Sequence, residues 1–280
     1  MENLPAPPVK EGNWIPLTDR AVFRITGPDR VRYLNGQVSN NVSKNLEAES
    51  IAACVCTLKG KVEALVWISS DGESLIIDGE LNQREQLFNR LDRYLIADDC
   101  ELHDITGQLS LIHHFSASGP GVTSRRALTT GKDLWIKEGE TPPFSEDKRI
   151  TSEAFEHSQL LAKIPKAGFE ITANEFPAEL GLDRWAVDFH KGCYLGQEVI
   201  SRIESVGRAR RSLLLSTSTE PVQQDEAVTG QVGETGVQAV TTRASVHTDK
   251  GSNLTLVLAK ISSKGAGVEE PISIKRQNEG

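Results

Sequence analysis

Lys191-Gly192-Cys193-Tyr194-Leu195-Gly196-Gln197-Glu198 brings a thiol, an ammonium, an amide and a carboxylate into eight residues, with two glycines among them. A packing helix would not carry two glycines, and a surface loop has no need of a cysteine. Cys193 is the candidate reactive group. A thiol works as its thiolate, whose formation is favoured by nearby cations or a helix N-terminus. Lys191 and His190 are both close in sequence, and a helix beginning near Tyr194 would add its free N–H groups. Gly192 and Gly196 allow close backbone approach to a ligand, or a positive φ. Gln197 and Glu198 carry hydrogen-bonding groups suited to the edge of a heterocycle. A lone cysteine would be read as a small buried residue; the octapeptide as a unit favours function. A His190–Cys193 nucleophile is a weaker reading, because sequence adjacency does not establish a hydrogen bond. A metal held by that pair is weaker still, since two ligands without companions are usually chance.

Arg202, Arg208, Arg210 and Arg211 follow closely. They suit a multivalent anion, such as a glutamyl tail or a phosphate, and equally a solvated basic stretch between domains. RNA contact has little support without interleaved aromatic residues. Trp67, Trp135 and Trp185 read first as core, with Trp185 the one to watch because it precedes the octapeptide.

The elements that must position these groups point to an α+β protein. Residues 1–13 read as a loose arm. Ala21–Thr26 alternates as a strand, and Asp29 stands as an N-cap for a short helix through Leu34. Ile51–Leu58, Val62–Ser69 and Ser74–Asp78 are strand-like and separated by Lys59-Gly60-Lys61 and Ser70-Asp71-Gly72, which is hairpin chemistry. Leu87, Phe88, Leu91, Tyr94 and Leu95 fall at helical spacing within 81–96. Two short strands, 100–104 and 109–115, complete a first unit, and residues 116–131 read as a loop. His113-His114 is expected to straddle a strand, one side in and one out. A second unit holds a strand around Leu134–Ile136 and a helix over 152–163 that Pro165 stops. Beyond residue 212 only short strands are apparent, as in a small antiparallel barrel. The expected domains are 14–115, 116–211 with the octapeptide, and 212–280.

At 280 residues the chain is long enough to bury cores without disulfides. A formal net charge of −8 argues against global attraction to DNA or an anionic membrane. Four scattered cysteines make no disulfide framework and no Cys-x-x-Cys pair. Cys54 and Cys56 would share one face of a strand as small apolar residues. With no signal-like start and no run of roughly 18 apolar residues, a cytoplasmic location is expected.

Phe176-Pro177-Ala178-Glu179-Leu180-Gly181-Leu182-Asp183, then Phe189 through Arg202, resembles the signature of the folate-binding YgfZ family. The K-G-C-Y-x-G-Q-E motif of that family is matched at every fixed position. Gly27-Pro28-Asp29-Arg30 with Leu34-Asn35-Gly36-Gln37-Val38-Ser39 is similar to its N-terminal G-x-D-x-x-x-F-L-x-G-Q-x-T segment, with Tyr33 and Ser39 as departures. Lys59-Gly60-Lys61 and Arg93-Tyr94-Leu95 match further family positions, so the resemblance spans roughly residues 15–262. It implies the fold of the glycine-cleavage aminomethyltransferase: three domains in a ring around a channel for tetrahydrofolate, the last a β-barrel. It implies tetrahydrofolate or a derivative as ligand. It also implies a role in synthesis or repair of iron–sulfur proteins, among them tRNA-thiomethylating enzymes. Cys193 and Lys191 would carry the chemistry, and Gly192, Tyr194, Gly196, Gln197, Glu198 and Arg202 would contact the cofactor.

One departure bears on activity. The aminomethyltransferases carry an R-x-E-x-G segment whose carboxylate helps hold the pterin; here the corresponding residues are Gln159-Leu160-Leu161-Ala162-Lys163. Leucine accepts no hydrogen bond, so a pterin donor facing Leu161 would cost about 1–3 kcal/mol unless Glu170 or Glu179 serves instead. The departure argues against aminomethyl transfer, and so favours an accessory factor over the runner-up, a tetrahydrofolate-dependent one-carbon transferase; a folate-independent interaction module is the third reading.

Overall fold

Alternate residues of the strand Glu49–Cys56 enter two different cores in the computed structural model, which describes residues 9–206, 209–232, 235–243, 246–247, 252–260 and 271–277. Ile51, Ala53 and Val55 pack with Phe23, Leu34, Ile77 and Leu91. Ala52, Cys54 and Cys56 face a second core that gathers Leu160, Leu161, Tyr194, Ile200, Leu213 and Leu254. The period of two in a strand produces this division, and it puts both cysteines on one buried face as expected. Cys56 is pushed well above its ordinary value by its hydrogen bond to Cys54 and by burial, so the pair behaves as packing.

The chain runs through β1 (Trp14–Leu17), β2 (Arg20–Thr26), α1 (Arg30–Gln37), β3 (Glu49–Cys56), β4 (Val62–Ser70), β5 (Leu75–Glu80) and α2 (Arg84–Asp92). It continues with β6 (Glu101–Asp104), β7 (Leu109–His114), β8 (Val122–Ser124), β9 (Gly131–Lys137), α3 (Ser152–Leu161) and α4 (Gln197–Val206). The last strands are β10 (Arg211–Ser218), β11 (Ala227–Val232), β12 (Thr235–Thr241), β13 (Val246–His247), β14 (Asn253–Lys260) and β15 (Ile272–Arg276). The architecture is α+β. One sheet has the order β1-β7-β9-β8-β3-β4-β5-β2-β6, and β9 joins it by pairing with β7. The segment expected to be pure loop contains β8, which pairs in parallel with the start of β3.

The barrel closes as β10-β15-β11-β12-β14, with β10 pairing back to β14 and β13 on the outer edge of β14. Every pairing is antiparallel except β10 with β15. A buried ion pair ties the barrel to the preceding unit: Arg243 Nη2 lies 2.7 Å from Glu170 Oε2, and both side chains are almost wholly buried.

Three local expectations are corrected. Asp29 sits at the start of α1 but its side chain does not cap it; the carboxylate accepts from Asp99 N at 2.9 Å and pairs with Arg32. His113 and His114 are both buried, because β7 lies inside the sheet between β1 and β9 and is covered on both faces. The helix expected near Tyr194 begins at Gln197, after a turn at Gly196 with φ +87°.

A charged network absent from the sequence reading crosses the sheet. Arg126 Nη2 pairs with Asp78 Oδ1 at 2.6 Å and Arg126 Nε with Asp133 Oδ2 at 2.7 Å. Asp133 Oδ1 meets His113 Nδ1 at 2.8 Å, and Arg20 also pairs with Asp78. Each carboxylate has more than one cationic or donor partner, which is what makes such burial tolerable.

Candidate functional site

Lys191 is buried, and its ammonium donates to three backbone carbonyls: Asn35 O at 2.5 Å, Val38 O at 2.7 Å and Asn40 O at 2.9 Å. All three N–H groups of the ammonium are thereby used. Burial draws its pKa down to about 8, against a smaller opposing pull from Asp188. The acceptors come from the end of α1 and the turn after it. Two segments far apart in sequence, Leu34–Ser39 and the octapeptide, are therefore in direct contact. Leu195 N donates to Gly36 O at 3.2 Å and Asp188 N to Ser39 O at 3.0 Å, which extends the junction on both sides of Cys193.

Cys193 is exposed. Tyr194 is buried in the second core, with its ring centroid 5.0 Å from the Lys191 ammonium; burial raises its pKa, and its hydroxyl has no hydrogen-bond partner. The backbone between these anchors carries Gly192 in open space. The thiol is thus held by its neighbours on either side while facing solvent.

Gly196 makes its close approach to the protein's own hairpin. A Cβ there would lie 2.5 Å from Thr57 O. Lys61, at the other side of that hairpin turn, donates to Asn174 O at 2.7 Å and stands over the ring of Phe176. Gln197 is half-buried. Glu198 is exposed and pairs with Arg202 at 2.9 Å, one turn apart on α4. Arg211 is engaged by Glu179 and Glu175, Arg210 is exposed, and Arg208 lies outside the described residues. The arginines therefore do not converge through Arg211, whose guanidinium is satisfied within the protein.

Beside the junction is a cavity of about 270 Å³. Its wall includes Asn40, Ala52, Trp67, Ser124, Arg125 and Trp185, with Lys44 and Glu49 also lining it. Asn40 connects it to the octapeptide: the backbone carbonyl accepts from Lys191, and the side-chain amide donates to Ala52 O at 2.8 Å and Trp185 O at 3.4 Å. The Arg125 guanidinium lies 5.3 Å from the centroid of the Trp185 ring, and Trp67 Nε1 donates to Arg125 O at 3.1 Å. The hydroxyl of Ser124 is buried without a partner. Sequence reasoning singled out Trp185 but missed Asn40, Ser124 and Arg125, because polar residues in loops and in a three-residue strand carry no periodic signal.

Leu161 is buried in the core shared with Trp185, Val187 and Phe189. Neither suggested substitute for a carboxylate there is free. Glu170 receives Arg243, Thr242 and Lys166 N, and Glu179 receives Arg211 and Phe176 N. Glu49 is the carboxylate that lines the cavity. Among the described residues, no group of three or more His, Cys, Asp or Glu is arranged to hold a metal, and no helix is long and apolar enough to cross a membrane.

No protein-family model matches the chain. It is 28% identical to the tRNA-modifying protein YgfZ of Cronobacter sakazakii, over 87% of this chain and 83% of that protein. It is 26% identical to the tRNA-modifying protein YgfZ of an Escherichia coli strain, over 85% and 82%. A mitochondrial iron–sulfur cluster assembly factor homologue of Neurospora crassa is 24% identical over 71% of this chain and 52% of its own length. Among solved structures, the glycine cleavage system aminomethyltransferase T of Bartonella henselae matches with a TM-score of 0.75 at 11% identity, covering 90% of this chain and 79% of that one. The chain is thus similar in sequence to the YgfZ proteins and has the fold of aminomethyltransferase T.

Proposed function

We propose that this protein is a tetrahydrofolate-binding accessory factor for the synthesis or repair of iron–sulfur clusters, serving enzymes such as those that thiomethylate tRNA. The observation that carries the reading is the Lys191–Asn40 junction. It ties the octapeptide, which carries the exposed Cys193, to Asn40 in the wall of a cavity of ligand size, in a chain similar to tRNA-modifying and cluster-assembly proteins.

The cavity's chemistry suits a folate. Its volume is near the lower end of small-molecule sites, roughly 300 Å³. An indole offers a flat apolar surface to a bicyclic ring. The unpaired Ser124 hydroxyl supplies a hydrogen-bonding group for a ring edge, and Lys44 and Arg125 supply cations for a glutamate tail. Bound tetrahydrofolate would supply a reduced ring that carries one-carbon units. In this reading Cys193 acts as the working thiol towards a partner's cluster or cysteine, Lys191 holds it in place, and Tyr194, Gln197 and Arg202 form its setting.

The test is made in a host lacking the gene, by quantifying thiomethylated adenosine in tRNA. Wild type restores the modification and Cys193→Ala does not, although both accumulate as folded protein. Full rescue by Cys193→Ala would remove the thiol from the mechanism, and no rescue by wild type would reject the iron–sulfur role.

A second reading, a one-carbon transferase, draws on Glu49, the carboxylate lining the cavity. It requires transfer of a formaldehyde equivalent from a methylamine donor to tetrahydrofolate, lost in Glu49→Gln.

A further inference from the structure

We propose that Lys191 is a positioning residue that couples the cavity wall to the Cys193 thiol, so that what occupies the cavity sets how the thiol is presented. The inference deepens the folate reading but stands on its own geometry.

The connection runs through one residue in each direction. On the cavity side, the Asn40 amide is bonded to Ala52 O and Trp185 O, and all three residues line the cavity. On the other side, Asn40 O accepts from the Lys191 ammonium, two residues before Cys193. Ser39 reinforces the same stretch: its hydroxyl donates to Ala186 O at 2.6 Å and accepts from Cys54 N at 2.8 Å. A ligand that shifts Asn40 or Trp185 therefore shifts a carbonyl on which the ammonium depends. A rearrangement there reaches Lys191, because Asn40 O is one of the three carbonyls that use up the donors of its ammonium. The Asp188 carboxylate is 3.8 Å from the ammonium of Lys44, which itself reaches Asn40 Oδ1 at 3.5 Å.

Cys193 is well placed to respond. It is exposed, Gly192 beside it meets nothing, and its position is set by Lys191 on one side and by Tyr194 and Leu195 on the other. Lys191 touches no reacting atom; its effect passes through the backbone.

The experiment measures the rate of Cys193 alkylation by iodoacetamide, located by peptide mass spectrometry, in the full-length protein. The first arm needs no ligand. Asn40→Ala, Lys191→Met and the double variant form a cycle, and coupling predicts that Asn40→Ala changes the rate at least about threefold with Lys191 present but has little effect in Lys191→Met. Additive effects would overturn the proposal. Lys191→Arg is measured alongside; it keeps a cation and a long stem, is expected to restore part of the coupling, and covers the case in which Lys191→Met does not fold. An arginine variant that folds and shows no response different from additivity would also count against it.

The second arm adds 5-formyltetrahydrofolate and follows binding by calorimetry. Saturation is expected to change the alkylation rate of wild type at least about threefold and to leave Lys191→Met nearly unchanged although it still binds. Equal responses in both proteins would refute the coupling. Absence of binding to wild type would reject the folate reading alone, leaving the first arm to decide on Lys191.

Discussion

Gly60 and Gly196 interlock. The α carbon of Gly60 lies 3.0 Å from where a Cβ on residue 196 would stand, and the Gly196 carbonyl oxygen lies 3.3 Å from where a Cβ on residue 60 would stand. Both have positive φ, +72° and +87°. The turn between β3 and β4 thus presses on the turn that ends the octapeptide, and neither can carry a side chain without moving the other.

Gly196→Ala should therefore be costly: left-handed backbone costs about 1–2 kcal/mol and overpacking about 1–3 kcal/mol more. At Gly60 the close atoms are Ile200 Cγ1 and Val199 Cβ at 3.1 Å and the Gly196 oxygen at 3.3 Å, none as near as Thr57 O at 2.5 Å is to residue 196, so Gly60→Ala should cost less. Urea denaturation midpoints of the two variants give the comparison, and the reverse order would show that the interlock is misread.

The link between barrel and body predicts an asymmetric double-mutant result. Removing one partner of a buried pair leaves a charge uncompensated, typically at about 3–5 kcal/mol. Glu170→Leu and Arg243→Met should each lower the melting temperature strongly. The double variant should be more stable than either, because it buries no unpaired charge. Thermal melts of the three variants suffice.

The Asp133 carboxylate gives the fold an acid limb. Burial pushes its pKa up, but Arg126 and then His113 outweigh that and take it from 3.8 to about 2. The folded value lies below the unfolded one, so the stabilisation is present in full above about pH 4 and is lost as the pH falls through about 2, an effect of about 2 kcal/mol. Stability curves between pH 5 and roughly pH 2 should fall in wild type with a component that Asp133→Asn lacks, though that variant is less stable at neutral pH. Parallel curves would place the acid sensitivity elsewhere.

Trp185 should report on the cavity. Its ring lines the wall with Arg125 against it. Binding of 5-formyltetrahydrofolate is expected to quench its fluorescence. Trp185→Ala should weaken affinity by about tenfold, as expected for loss of an aromatic contact worth roughly 0.5–1.5 kcal/mol beyond area. Unchanged affinity would move the ligand away from this wall.

Leu161→Glu should not recreate a transferase. Residue 161 is buried among Trp67, Leu160 and Tyr194, so an unpaired carboxylate there costs several kcal/mol or stays protonated. Loss of stability without aminomethyl transfer is the expected pair of results.

Much of the frame was legible beforehand. Alternation along 21–26, the hairpin turn at Lys59-Gly60-Lys61 and the helical spacing of Leu87 and Leu91 are local signals, and each became the corresponding element. The octapeptide stood out because its residue types conflict with ordinary packing. Strands β8, β11 and β15 were not legible, since short segments with polar residues become strands only by pairing with neighbours distant in sequence. The charge network of Asp78, Arg126 and Asp133 was equally hidden; each residue alone reads as surface, and burial is affordable only when all meet. The same reason separates what the sequence determined from what tertiary structure decided. The sequence determined which residue types stand together in the octapeptide and the local elements that bear them. Tertiary structure decided that Lys191 is spent on the carbonyls of Asn35, Val38 and Asn40, that Gly196 meets a hairpin, and that Asn40 faces both a cavity and the motif. Those contacts join segments some 150 residues apart, 156 in the case of Lys191 and Asn35, and backbone carbonyls, which every residue has, leave no mark in the sequence of the partner they will receive.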